Sequence, residues 1–317
     1  MGRHRFIKAI TAIAITVGAA LWCAQQDVII RTEVKLVRVL TNVRDSSGNL
    51  VGDLSKEDFE IFDNGAPQQV SIFERQTAQP LAVSLLIDIS ASTAKDLPLE
   101  VSSLQRFVDE FFKEGTANDL ASLYSFNDEV TLLSGFTRNR DQLKKSMRNM
   151  KAEAGTSLYD ALMLTAPRLG DREGRRVFLV ITDGGDTTSK YSYQQALRRV
   201  HEAEASIFSV LIQPITNDAG RNLGGENALY SLAASTGGRV FHASVGPRLN
   251  AAFTDILKAL RTQYYLGYYP KNVPLNKNPF HTLEVRVKRK GLLTEARAGY
   301  YGDSSAAAIP EGGGKRR

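Results

Sequence analysis

The chain has 317 residues, of which 43% are hydrophobic and 23% are charged. This composition is typical of a globular protein and excludes an intrinsically disordered one. The formal net charge of +6 is concentrated at the two ends, where Arg3, Arg5 and Lys8 open the chain and Lys315–Arg317 close it. Because the body of the chain is close to neutral, we expect no nucleic-acid partner.

The N-terminal segment has the pattern of an export signal. A basic stretch is followed by the uncharged run Ala9–Ala24, which is shorter than the roughly 20 apolar residues that a membrane-spanning helix needs. We therefore expect residues 1–24 to be a signal peptide. The alternative is that this segment stays uncleaved as an N-terminal anchor, and it would then be the only part of the chain that contacts a membrane. The expected location is the periplasm, the cell envelope or the medium. Cys23 is the sole cysteine, so the mature chain would form no disulfide.

Two separate parts of the chain show β patterning. In residues 28–76, apolar and polar residues alternate over Val28–Val43, and Asp63-Asn64-Gly65 is a strong hairpin signal. Residues 265–301 return to the same alternation, most clearly in Thr282–Lys288. Since neither part has enough strands to be stable alone, we predict that both build one discontinuous β-sandwich domain.

Residues 80–264 alternate apolar strands with helical patterns, which predicts a parallel sheet covered on both faces. Asn127-Asp128 is too short for a crossover, so the strands around it must pair antiparallel. The predicted fold class is α/β, a doubly wound, mostly parallel sheet with one antiparallel edge strand, inserted into the small β-sandwich domain. The tail 303–317 is predicted to be disordered. The predicted strands cover 81–89, 119–126, 129–134, 176–182, 206–213 and 239–243, and the predicted helices lie near 97–113, 139–150, 157–169, 192–204, 226–235 and 247–264.

Oxygen-bearing side chains follow the predicted strands of this region. Asp88, Ser90 and Ser92 come at the end of one apolar run, Asp183 follows another, and Thr156 lies in a loop between them. In an open α/β sheet the carboxyl ends of the strands form the ligand crevice. Hydroxyl and carboxylate oxygens suit Mg²⁺, Mn²⁺ or Ca²⁺ better than zinc or copper. The sequence therefore predicts a divalent-cation site made of these five residues.

A structural interpretation of the same residues stays open. Ser90 and Ser92 could cap the helix that follows them, and Thr156 or Ser157 could cap the helix that starts at 158. Asp186, a little further along, is either a supporting residue of the site or a polar group of its loop.

The order D-x-S-x-S, then Thr, then Asp resembles the metal-ion-dependent adhesion site of von Willebrand factor A-type domains. That resemblance implies that Ser90, Ser92 and Thr156 bind the metal directly. It also implies that Asp88 and Asp183 lie beside the metal or act through water.

Five segments spread over the chain carry a second resemblance, namely Asp53–Phe59, Asp88–Ser92, Gly155–Asp160, Tyr265–Tyr269 and Ala298–Tyr301. With these segments, the layout of the whole chain resembles a set of bacterial, especially acidobacterial, proteins related to this family. The resemblance implies the fold and the metal site, and says little about the partner.

The function expected from these observations is protein binding of the adhesion type, dependent on a divalent cation. Neutral hydroxyl ligands leave the ion electrophilic, so an Asp or Glu of a partner protein can complete its coordination. Two alternatives stay open, a metal-dependent hydrolase and an assembly or chaperone-like subunit of an envelope complex. Because no histidine or lysine is spaced to act as a general base, we assign no catalytic residue and expect no enzyme activity.

Overall fold

The structure is a computed structural model that describes residues 35–75, 78–148, 150–212, 223–274 and 279–302. The predicted signal segment 1–24, the predicted disordered tail 303–317 and the first residues of the strand expected from Val28 lie outside the described residues. Within the described ranges, no helix combines the length and the apolar character needed to cross a membrane.

The elements of the described chain are named here in chain order. The strands are β1 Val37–Arg44, β2 Phe59–Asp63, β3 Ala66–Gln68, β4 Ile72–Glu74, β5 Leu81–Asp88, β6 Leu120–Phe126, β7 Val130–Thr137, β8 Arg175–Thr182, β9 Ala205–Ile212, β10 Arg239–Ala243, β11 Tyr264–Tyr268, β12 Phe280–Val287, β13 Leu293–Ala296 and β14 Gly299–Tyr301. The α-helices are α1 Leu97–Lys113, α2 Arg140–Ser146, α3 Leu158–Gly170, α4 Tyr193–Glu202, α5 Leu223–Ser235 and α6 Pro247–Arg261.

The central sheet has the strand order β10-β9-β8-β5-β6-β7. All neighbouring strands are parallel except β6 and β7, which pair antiparallel at one edge. This confirms the predicted mostly parallel sheet with one antiparallel edge strand. Every residue of β5 and of β9 is buried, as expected for strands that are covered on both faces.

Helices cover both faces of this sheet. One apolar core joins α1, α2 and α6 to the sheet, and a second core joins α3, α4 and α5 to the opposite face. The strand order reverses at β5, because the chain first adds β6 and β7 on one side and then returns to place β8 on the other. The connections that leave β5 and β8 therefore diverge and open a crevice at the carboxyl ends of these two strands.

The remaining strands form two antiparallel sheets, with the orders β13-β1-β11-β4 and β14-β12-β2-β3. Each sheet combines strands from before the α/β region with strands from after it. Side chains of both sheets share one apolar core, which includes Val39, Ile61, Leu266 and Val285. The hairpin expected at Asp63-Asn64-Gly65 joins β2 to β3.

Asp63, the last residue of β2, links the strands of the two antiparallel sheets. Its buried carboxylate accepts hydrogen bonds from the hydroxyls of Tyr268 on β11, at 2.7 Å, and of Tyr300 on β14, at 2.8 Å. His281 Nδ1 on β12 lies 2.9 Å from the other carboxylate oxygen. One side chain therefore gathers polar groups from three further strands.

Helix α4 packs against the β14-β12 edge through the buried ring of His201. The ring centroid lies 5.3 Å from that of Phe280 and 6.4 Å from that of Tyr301. Burial, together with the positive charge of Arg297, lowers the pKa of His201 to about 4. The imidazole is consequently neutral in the folded protein near neutral pH.

Candidate metal centre

The deepest residue of the candidate site is Asp88, which ends β5 at the crevice and is fully buried. Its Oδ2 accepts a hydrogen bond from the Thr182 hydroxyl at 2.6 Å, and its Oδ1 accepts one from the backbone N–H of Ser90 at 2.8 Å. Burial raises the pKa of Asp88 to about 6, although these hydrogen bonds oppose the rise, and the negative charge of Asp183 adds to it. The carboxylate is thus held in one orientation at the switch point of the sheet.

Ser90 and Ser92 place a pair of hydroxyls above Asp88. Their Oγ atoms are 2.9 Å apart, with Ser90 buried and Ser92 exposed. Ser92 lies in a single 3-10 turn over Ala91–Thr93, and Ser90 directly precedes this turn. The Thr93 hydroxyl stabilises the turn by donating to the Ser90 carbonyl at 2.9 Å. Ser90 precedes this turn but makes no side-chain capping hydrogen bond. The Ser90 hydroxyl contacts that of Ser92, so the two hydroxyls lie between the buried carboxylate of Asp88 and the solvent.

Thr156 is positioned by backbone contacts with the loop that follows β8. Its N–H donates to the Thr187 hydroxyl at 3.0 Å, and its carbonyl accepts from the N–H groups of Thr187 and Thr188. Gly155 before it has φ +85°, and a Cβ there would lie 2.8 Å from the Cβ of Asp128, so this turn requires glycine. Among the described residues, the Thr156 hydroxyl has no hydrogen-bond partner.

Asp183 is the first residue after β8 and is half-buried. Its carboxylate, like the Thr156 hydroxyl, has no hydrogen-bond partner within the described ranges. The electrostatic influence of Asp183 on Asp88 shows that the two carboxylates share one environment. The adjacent strand ends therefore bring two acidic side chains to the same crevice.

Asp186 and Ser157 lie at the N-terminal end of helix α3 and make different hydrogen bonds there. Asp186 Oδ2 accepts from the backbone N–H of Tyr159 at 3.0 Å and from the Ser189 hydroxyl at 2.6 Å. A carboxylate at the first turn of a helix is favoured by the helix dipole. Ser157 directs its hydroxyl to the carbonyl of Asn127 at 2.6 Å and makes no capping hydrogen bond. Asp186 therefore fastens the loop after β8 to α3.

Sequence reasoning missed Glu100, in the first turn of α1. It is only 2% exposed, and neither of its carboxylate oxygens has a hydrogen-bond partner in the part of the chain that is described. Burial raises its pKa to about 8, and the negative charges of Asp88, Asp96 and Asp183 add to this rise. A signal was present in the sequence, because Glu100 lies on the apolar face of α1, four residues before the buried Leu104.

The chemistry of these donors fits a hard divalent cation. No group of three or more His, Cys, Asp or Glu side chains in the described ranges is placed to hold a metal ion. A cation in this crevice would therefore need hydroxyl ligands, and Ser90, Ser92 and Thr156 are the residues that the sequence predicts for this role. Hydroxyl and carboxylate oxygens suit Mg²⁺, Mn²⁺ and Ca²⁺.

Residues 83–185 match the family model of the von Willebrand factor type A domain. The chain contains a von Willebrand factor type A domain. The match runs from β5 to the loop after β8, so it includes Asp88, Ser90, Ser92, Thr156 and Asp183. No curated protein matches the sequence.

Several solved structures have a similar fold. BatB from Bacteroides thetaiotaomicron is 21% identical, with 57% of this chain and 97% of that chain covered and a TM-score of 0.44. The vWF domain of the type V pili tip protein Mfa5 from Porphyromonas gingivalis is 16% identical, with 57% and 95% covered and a TM-score of 0.47. The PilB minor pilin from Streptococcus sanguinis is 13% identical, with 59% and 62% covered and a TM-score of 0.45.

Proposed function

We propose that this protein is an exported binding module whose von Willebrand factor type A domain holds a partner protein through a divalent cation. The cation is Mg²⁺, Mn²⁺ or Ca²⁺, and the ligands are the residues of the candidate metal centre. The observation that carries the proposal is the pair of hydroxyls of Ser90 and Ser92, 2.9 Å apart, beside the buried carboxylate of Asp88 at the switch point of the sheet.

The donor set explains why this centre would bind a partner. Hydroxyl ligands carry no charge, and the carboxylates of Asp88 and Asp183 would act beside the ion or through water. A cation held in this way retains much of its positive charge and attracts a further carboxylate. Because Ser92 is exposed, an Asp or Glu side chain of a partner protein can approach the centre from solvent.

Binding is favoured over catalysis because the centre has no histidine. The three histidines in the described residues lie elsewhere. His201 packs against Phe280, His242 contacts Tyr230, and His281 lies beside Asp63. Metal-dependent hydrolysis needs a general base within reach of an activated water. The export part of the proposal is supported by the basic and then uncharged N-terminal sequence.

Titration with Mn²⁺ tests the metal centre. Calorimetry on the wild type is expected to give one divalent-cation site, and the Ser90→Ala/Ser92→Ala variant should lose it. Ser146→Ala is the matched control, because its hydroxyl lies on the exposed face of α2 and bonds only the Gln142 carbonyl. If the double variant binds Mn²⁺ as tightly as the wild type, the metal centre is wrong.

Affinity capture from a bacterial envelope extract tests the binding role. Partners should be retained in Mg²⁺ and lost both in EDTA and with the Asp88→Ala variant. Partners that persist in both conditions would contradict a cation-mediated contact. Turnover of a generic phosphoester or peptide that disappears in Asp88→Ala would instead establish the hydrolase alternative, and cytosolic fractionation of the protein would contradict export.

A further inference from the structure

We propose that Glu100 is a third acidic residue of the metal centre, where it holds a water molecule of the bound cation. This inference deepens the proposed function and rests on it. It concerns a residue outside the D-x-S-x-S, Thr and Asp pattern, since Glu100 lies on helix α1 and not at a strand end.

The position of Glu100 directs its side chain toward the centre. Helix α1 begins directly after the loop that carries Ser90 and Ser92, and Glu100 lies in its first turn. Long side chains of a helix point back toward its N-terminus, which here is the side of that loop. The carboxylate interacts electrostatically with Asp88 at the end of β5 and with Asp183 after β8. Glu100 is therefore buried at the end of α1 nearest to this loop, where its carboxyl group is influenced by both acidic residues of the crevice.

Two other deeply buried acids, Asp119 and Asp63, provide an internal comparison. Asp119 is fully buried and accepts hydrogen bonds from Thr116, from the N–H of Leu81 and from Arg261. Asp63 is fully buried as well and has three polar partners. Glu100 is 2% exposed and has none among the described residues. Burying a carboxyl group without hydrogen-bond partners destabilises the folded state, so the burial of Glu100 indicates a ligand at this place.

The contact with the cation is expected to run through water. The carboxylates of Asp88, Asp183 and Glu100 do not form a group that could hold one ion directly, within the part of the chain that is described. A carboxylate that does not bind the ion directly can accept a hydrogen bond from a water molecule that the cation polarises. Loss of such supporting contacts typically weakens metal binding about tenfold to a hundredfold.

The test compares Mn²⁺ affinity among the full-length wild type, Glu100→Gln and Glu110→Gln. Glu110 lies on the same helix with an exposed side chain, so its variant controls for the loss of one negative charge. We expect Glu100→Gln to weaken Mn²⁺ binding about tenfold or more and Glu110→Gln to leave it unchanged. A loss of less than about threefold in Glu100→Gln, well below the effect of losing a supporting contact of a metal site, overturns the proposal.

A purely structural role for Glu100 is tested by thermal unfolding with and without Mn²⁺. If the role is purely structural, Glu100→Gln changes the melting temperature of the metal-free protein but keeps the full rise in melting temperature that Mn²⁺ produces. Our proposal requires this Mn²⁺-dependent rise to be smaller in the variant than in the wild type. If Glu100→Gln does not fold, as judged by circular dichroism, Glu100→Met replaces it under the same criterion, because methionine fills a buried site of similar length.

The Ser90→Ala/Ser92→Ala variant separates the two proposals. If this variant loses Mn²⁺ and Glu100→Gln keeps it, only the inference about Glu100 is wrong. If the double variant binds Mn²⁺ like the wild type, the metal centre of the proposed function is wrong.

Discussion

Protonation of His201 should destabilise the folded protein in mild acid. The imidazole is buried between α4 and the strands that carry Phe280 and Tyr301, and its pKa is lowered from 6.5 to about 4. In the unfolded chain the same ring takes up a proton near its ordinary pKa. The unfolded state therefore binds the proton more tightly, and stability falls as the pH falls below 6.5.

The size of this effect follows from the two pKa values. One pKa unit corresponds to about 1.4 kcal/mol, so His201 can remove at most about 3 kcal/mol of stability between pH 6.5 and pH 4. About 2 kcal/mol of this is already lost at pH 5. The stability that His201 contributes is complete above pH 6.5 and is lost as the pH falls from 6.5 to 4.

Urea unfolding at pH 7.5 and pH 5, in EDTA, measures this loss for the wild type and for His201→Gln. The variant has no group that titrates at this position, so its free energy of unfolding should fall by about 2 kcal/mol less than that of the wild type. Asp88 and Glu100 titrate with the opposite sign, because burial raises the pKa of each. Their contributions are common to both proteins and cancel in the comparison.

His242→Gln is the control, because the His242 side chain is exposed and its variant should follow the wild type. Equal losses of stability in the wild type and in His201→Gln would refute the reasoning. An NMR titration that gives His201 a pKa near 6.5 in the folded protein would refute it as well.

Three further predictions concern buried contacts. Gly155→Ala should cost about 1–3 kcal/mol in urea unfolding, because φ is +85° and the new Cβ meets Asp128; unchanged stability would contradict the strained turn. Thr182→Val removes the hydroxyl that orients the Asp88 carboxylate and should weaken Mn²⁺ binding about tenfold in calorimetry, whereas wild-type affinity would show that this contact is not needed. Asp63→Ala leaves several buried donors unpaired and should cost about 3 kcal/mol or more in thermal unfolding; a cost near 1 kcal/mol would show that water replaces the carboxylate.

Much of the α/β fold could be predicted because its signals are local. The strand at 81–89 and the helix at 97–113 were expected from apolar periodicity, and they appear as β5 Leu81–Asp88 and α1 Leu97–Lys113. The antiparallel edge strand followed from a connection too short for a crossover. Strand pairing within the two antiparallel sheets was harder to predict. The alternation of apolar and polar residues shows which face of a strand is buried, but it does not identify the neighbouring strands.

In the candidate site, too, local sequence signals predict some residues, while others depend on tertiary packing. Asp88, Ser90 and Ser92 are adjacent in sequence, so their convergence needs only one strand and one turn. Glu100 was missed because its burial without a partner depends on how α1 packs over the sheet. The contact of Asp186 with α3 depends on the path of the loop after β8, which residue types alone do not specify.

The pairing of distant strands sets an order of events during synthesis. Asp63 and His281 meet although they are 218 residues apart in the sequence, and β1 lies between β11 and β13, which both follow the α/β region in the chain. The described strands and helices of the α/β layers are all available once residue 261 has been made, while β1 still lacks both of its neighbours and β2 still lacks β12. A chain that stops early would therefore leave these strands with open edges, a state prone to aggregation. Closing the two antiparallel sheets thus requires strands that are made after the α/β layers.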